Sequence, residues 1–280
     1  MFYEKRKILF LKILAVLCVI STIGIFDYWL WAPKSTPTVK PSQNEFSENK
    51  TIATNEEAIK SIQKTEEETK KIENQEIINS QINFDVPFTS QAPFAVWDDL
   101  HNEACEEAAL IMAKYWLNGE KLSPEKAEKE ILASVNWQIK NWGGHYDLPA
   151  EKIVELGKEF FNFKKIRTFY NPSVDDIKKE LSKGNLVLTP AAGRLLKNPY
   201  YRQPGPVYHL LVVRGYDEKG VITNDPGTRR GKGFRYTWDN FFGSLHDWLF
   251  GPPDYGQKLS KDEKAVGILR GQKVMIVIEK

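Results

Sequence analysis

Val207-Tyr208-His209-Leu210-Leu211-Val212-Val213 is a β-branched and aromatic run, and Val221-Ile222-Thr223 is a second, joined through Gly215-Tyr216-Asp217-Glu218-Lys219-Gly220. Runs of that composition around a short Gly- and Asp-containing link read as a β-hairpin. The loop length then decides which side chains meet. A three-residue loop, Asp217 to Lys219, with Gly220 as a bulge residue places Asp225 opposite Leu211, on the same face as His209 and diagonal to it. Diagonal neighbours roughly 7 Å apart let an imidazole and a carboxylate touch. A four-residue loop would instead pair Asp225 with Val212 and separate the two, leaving Asn224 as the side chain able to fix the ring tautomer. A strand histidine is commonly structural, so the meaning of His209 depends on what lies near it.

Upstream, Asn102-Glu103-Ala104-Cys105-Glu106-Glu107-Ala108-Ala109-Leu110-Ile111-Met112-Ala113-Lys114-Tyr115-Trp116-Leu117-Asn118-Gly119 reads as a helix that Asn102 can cap and Gly119 can end. Cys105 falls in its first turn, where free backbone N–H groups and the positive end of the macrodipole favour a thiolate and can hold an oxyanion. Cys105 is the one cysteine outside the apolar N-terminus, so it is either a small core residue or an unpaired nucleophile. Glu103, Glu106 and Glu107 oppose a thiolate unless they point into solvent, where screening weakens them.

The other segments read as scaffold. Pro124 to Ala133 and Pro149 to Phe161 have helical periodicity, Ser173-Val174-Asp175-Asp176 is a capping box for a helix ending at Gly184, and Asn185 to Thr189 is a strand. Helices first and strands afterwards mark an α+β fold, with the cysteine helix packed on an antiparallel sheet. Trp142-Gly143-Gly144-His145 and Gly193 to Pro206 are candidate cleft walls.

Four ordered segments resemble a known family: Val86-Pro87-Phe88-Thr89-Ser90-Gln91, Glu103-Ala104-Cys105-Glu106-Glu107-Ala108, His209 through Asp217, and Asn224-Asp225-Pro226-Gly227. They are similar to the papain-like cysteine peptidases of the bacteriocin-leader-processing type, in particular their stand-alone peptidase C-thirty-nine-like relatives. The resemblance covers about Phe84 to Phe250. It implies that Cys105 attacks a scissile carbonyl, His209 serves as base and then acid, Asp225 orients it, and Gln91 helps form the oxyanion hole. Without the resemblance, Gln91 is a turn residue before Pro93. Two departures stand out. Glu106 occupies a position where relatives commonly carry Gly or Ala, and Ala92 to Asn102 is longer than usual. Nothing in these residues resembles the transporter that carries the leader-cutting members, since one apolar segment cannot form a permease bundle and there is no Gly-x-x-x-x-Gly-Lys-Ser/Thr loop, so secretion-coupled leader removal is not expected.

The 280 residues carry a net charge of +2 and 41% hydrophobic residues, which permits a real core and offers no basic stripe for nucleic acid. His101, His145 and His246 form no dense ligand spacing, so neither metal nor cofactor is expected, and His101 reads as a surface or cleft residue. Ile8 to Trp31 is apolar except for Lys12 and Asp27, and its 24 residues would reach roughly 36 Å as a helix, enough to cross a bilayer with Lys5-Arg6-Lys7 on the cytoplasmic side. A cleaved signal peptide is the rival reading, since Ile13 to Phe26 resembles its apolar core, and the product would then be secreted. From Glu45 to Glu76 nine Glu stand against five Lys, a solvated spacer.

The resulting organisation is a cytoplasmic tip and transmembrane anchor over 1–32, a Pro-containing charged spacer over 33–83, and a papain-like domain over 84–280. The expected activity is extracytoplasmic cleavage of a peptide or protein substrate, with the membrane as the other partner. A peptidoglycan amidase or endopeptidase and a non-catalytic peptide- or wall-binding module are the alternatives.

Overall fold

The structure, a computed structural model, describes residues 78–250 and 259–280. The expected anchor and nearly all of the expected spacer lie outside these residues. No helix among the described residues is long and apolar enough to cross a membrane.

In chain order the elements are β1 (Ile82–Asn83), α1 (Asp99–Asn102), α2 (Cys105–Asn118), α3 (Pro124–Trp142), α4 (Ala150–Glu159), β2 (Ile166–Tyr170), α5 (Val174–Ser182), β3 (Leu186–Ala192), α6 (Gly193–Leu196), β4 (Tyr208–Asp217), β5 (Gly220–Asn224), β6 (Phe234–Tyr236), α7 (Trp238–Ser244), α8 (Lys261–Gly267) and β7 (Val274–Ile278). The strands form one antiparallel sheet in the order β2-β7-β3-β4-β5-β6, with β1 also paired to β4. The fold is therefore α+β.

Helices cover both faces of the sheet. Leu188, Leu210, Val212 and Ile276 face a core with α2, α3 and α4, while Val187, Leu211, Val213 and Val277 face a second core with α5 and α7. Burial on both faces explains why β4 reads as a continuous apolar run rather than an alternating one. At the β1 contact Gly215 is required by close approach, since a Cβ there would lie 1.9 Å from the Ile82 carbonyl oxygen.

The hairpin reaches its expected register by another route. Asp217 pairs with Gly220 around a two-residue turn, one residue shorter than expected, and a bulge between Val213 and Gly215 restores the count. The ladder closes on Val212↔Asn224, so Asp225 follows opposite Leu211.

Helix starts depart more. Asn102 does not cap α2: Asp98 caps the short α1 by accepting from the His101 N–H, Asn102 ends that helix, and Ala104 precedes α2 without a side-chain cap. Cys105 is thus the first helical residue. Gly119 ends α2 in the left-handed region at φ 68°, and α3 runs on past Ala133 to Trp142 because its buried face continues through Val135 and through Gln138, which donates to Glu107. The capping box at Ser173 forms as expected. Sequence reading had no expectation for β2, β6, β7 or α8.

Candidate active site

The strand pair delivers the imidazole. His209, on β4, is buried at 1% exposure, and its Nε2 donates to Asp225 Oδ1 at 2.7 Å. A carboxylate accepts, so Nε2 carries the hydrogen and Nδ1 is the ring nitrogen left to act as a base. Nδ1 has no hydrogen-bond partner among the described residues, and His209 lines the large cleft of the domain, about 1400 Å³.

Asp225 is the most heavily hydrogen-bonded side chain of the site. Oδ1 also accepts from the Gly227 N–H at 2.9 Å, and Oδ2 accepts from Asn198 Nδ2 at 2.8 Å, the Tyr201 hydroxyl at 2.7 Å and the Tyr236 hydroxyl at 2.5 Å. Burial works to raise its pKa, but the charge and hydrogen bond of His209, with the hydrogen bonds of Tyr236 and Tyr201, hold it below the usual carboxylate range. It is therefore an anion that fixes one ring orientation. Asn224 does not share this task. Its Nδ2 donates to the carbonyls of Val86 and Pro87 at 3.0 and 3.2 Å and its Oδ1 accepts from the Gly233 N–H, tying down the segment before Gln91.

Cys105 lines the same cleft from the opening turn of α2 and is 3% exposed. Its thiol donates to Glu106 Oε2 at 3.0 Å. The expectation that the neighbouring glutamates could point to solvent is corrected here: Glu106 and Glu107 are 0% and 1% exposed. The first turn of α2 is enclosed by α3 and by the segment leading into α4. Glu106 Oε1 accepts from the Leu148 N–H at 2.8 Å, and Glu107 accepts from Gln138 of α3 and lies 3.4 Å from His145 Nε2. Burial first, then the charges of Glu106 and Asp147, push the Cys105 thiol well up. Burial, Glu107 and Asp147 likewise raise Glu106. For His145 burial acts downward, but Glu107 and Glu103 prevail and raise it, favouring a cation beside Glu107.

Gln91 also lines the cleft. Its Nε2 donates to the carbonyls of His101 and Asn102 at 2.8 and 3.0 Å, while its Oε1 is buried without a partner. Both amide hydrogens are thereby committed to the chain just before α2. His101 is corrected from a surface or cleft residue to a buried one, held by Asp98 at 2.7 Å and Glu128 at 3.1 Å. No cluster of metal-ligating side chains exists among the described residues.

Of the two expected walls, the stretch Gly193 to Pro206 lines the cleft through Arg194 and Tyr200 to Pro206, and it carries Asn198 and Tyr201 onto Asp225. Trp142 to His145 does not line it, because His145 turns inward to Glu107, and Asp147 takes that place. Asn198, Tyr201, Tyr236 and Gly227 are the partners that sequence reasoning missed. Gly227 alone stood in a motif segment, next to Asp225 and Pro226.

Cys105 at a helix start, His209 on β4 and, bound to it, Asp225 just past the end of β5 meet at one cleft on an antiparallel sheet. The chain belongs to the Peptidase C39-like family, whose model matches residues 83–249. No curated protein matches it. Among solved structures, a candidate C39-like peptidase from Bacillus anthracis is similar at 14% identity, covering 72% of this chain and 99% of that chain with a TM-score of 0.44.

Proposed function

We propose that the domain hydrolyses peptide bonds through Cys105, His209 and Asp225 by way of an acyl-thioester. The observation that carries this reading is the common cleft, which Cys105 enters from α2 and His209 from β4 with its Nε2 fixed on Asp225 and its Nδ1 left as a base. The thiol proton passes to His209 Nδ1 as sulfur bonds to the scissile carbonyl carbon. The C–N bond then breaks as the amine takes that proton, and a water deprotonated by His209 releases the acid and restores the thiol. The first-turn amides of α2 are the donors best placed to hold the oxyanion. Gln91, with its amide hydrogens on His101 and Asn102, acts by fixing the chain that enters α2.

The segment Ile8 to Trp31 would anchor the domain in the membrane and hold it outside the cytoplasm. A non-catalytic binding module has one observation in its favour, the thiol's hydrogen bond to Glu106. Digestion of an unbiased peptide library by the wild type and by Cys105→Ala separates the two readings. Cleavage that disappears in Cys105→Ala is expected. Peptides retained but uncut by both proteins would leave only the binding module.

A further inference from the structure

The proposed nucleophile must lose a proton, yet its hydrogen-bond partner is a carboxylate. Cys105 Sγ donates to Glu106 Oε2 at 3.0 Å, the thiol's one hydrogen bond among the described residues. Glu106 is no rim residue. It is fully buried, and its second oxygen is held by the Leu148 N–H, so the side chain cannot swing into the cleft without abandoning that bond. The groups that face it are Cys105 and Glu107 on α2, His145 by way of Glu107, Asp147 ahead of α4, and the Tyr208 hydroxyl on β4. The charges acting on it most strongly are both acidic, Glu107 and Asp147.

We propose that Glu106 is a positioning residue that gates the nucleophile: as a carboxylate it retains the thiol proton away from His209, and once protonated it releases the sulfur and donates to the thiolate. The inference rests on the reading of Cys105 as nucleophile and adds its control. A thiolate beside an ionised Glu106 would put two like charges in contact in a dry site, which burial makes costly. A neutral Glu106 reverses the sign, because its O–H is then a donor to sulfur. The proton balance is simple: Glu106 takes a proton from solvent and keeps it, while the thiol proton goes to His209 Nδ1. The same enclosure raises Glu106, so the gate operates above the ordinary carboxylate range.

The test is the pH profile of iodoacetamide alkylation at Cys105 in the full chain, read by peptide mass spectrometry so that Cys18 is counted separately. In the wild type the rate should fall as pH rises through the titration of Glu106 and climb again only when the thiol ionises in alkali. A free thiol shows no falling limb. Glu106→Gln keeps an acceptor for the Leu148 N–H but removes the charge. It should abolish the falling limb and raise the rate at pH 7 about tenfold, the change in thiolate fraction that one pKa unit produces. Glu107→Gln, one shell further out, should change the rate less. A wild-type profile that rises monotonically like a free thiol, or a Glu106→Gln profile that superimposes on the wild type, overturns the gate. The wild-type limb decides the matter without any variant should Glu106→Gln fail to fold. Peptide cleavage measured in parallel separates the two proposals. Cys105-dependent cleavage with no effect of Glu106→Gln on alkylation refutes only the gate, whereas a working gate without Cys105-dependent cleavage refutes only the hydrolase.

Discussion

Replacing Gly227 by Ala tests the placement of His209 without touching any proposed catalytic group. A Cβ at this position would lie 2.9 Å from His209 Cε1, 3.0 Å from Nε2 and 3.0 Å from Tyr201 Cε1. Carbon contacts settle at about 3.5–4.0 Å, so the rings must yield by roughly 0.5–1 Å. The Gly227 backbone is outside the left-handed region, so the conflict is steric rather than conformational. The main chain at Gly227 has little freedom to retreat, because its N–H is bound to the same Asp225 oxygen that holds the ring. The imidazole and Tyr201 are tied to the two oxygens of Asp225, both at 2.7 Å, so relieving the clash displaces the ring from its bond to Asp225, directly or by way of Tyr201. Misplacing a reacting group by about 1 Å costs on the order of 100-fold, so kcat/KM should fall by ~10- to 100-fold. Overpacking should cost about 1–3 kcal/mol of stability, and the protein should still fold. The assay is hydrolysis of a peptide selected from the library digestion, with a thermal melt to confirm folding. Unchanged kcat/KM in a folded Gly227→Ala protein would refute the claim that His209 works from its observed position.

Two further outcomes concern the surroundings. Burial pushes Asp247 up to about 6 from an ordinary 3.8, although the N–H groups of Ala150 and Trp248 act to lower it. A carboxyl raised on folding contributes stability that is fully present below the unfolded value and is lost as pH climbs through the folded one. The wild type should therefore lose up to about 3 kcal/mol between roughly pH 4 and 6, and Asp247→Asn should flatten that slope in urea titrations. Parallel slopes in both proteins would contradict this. The cleft is lined by six basic side chains (Arg194, Arg202, Arg229, Arg230, Lys261, Lys264) against three acidic ones (Asp99, Glu103, Asp147), so peptides with Asp or Glu should be cut preferentially. Arg202→Glu combined with Arg229→Glu should lower kcat/KM for such peptides about 3- to 10-fold, an effect that shrinks as salt rises. Equal loss on a neutral peptide would show that charge is not what these residues read.

The site was legible where one element held its own signal. Cys105 near a helix start followed from the helix formers after it, and the His209–Asp225 contact followed from strand parity. The parity argument survived an incorrect loop because the shorter turn and the bulge at Arg214 offset each other. The fate of the glutamates could not be read in this way. Glu seldom goes inside, and the local pattern left open whether Glu106 and Glu107 face solvent; only their contacts with Leu148, Gln138 and His145 decide that they do not. The donors to Asp225 were hidden for a related reason: Asn198, Tyr201 and Tyr236 come from separate segments with no common spacing.

By itself the sequence determined the α+β pattern, the helix that starts near Cys105, the strand parity that brings Asp225 to His209, and the family, because each depends on local periodicity or on short ordered motifs. Tertiary structure alone decided what surrounds the sulfur. Whether a carboxylate next to a cysteine is screened by water or buried against it depends on which distant segment closes over the helix terminus, and here the turn before α4 holds Glu106 beside the thiol while α3 holds Glu107.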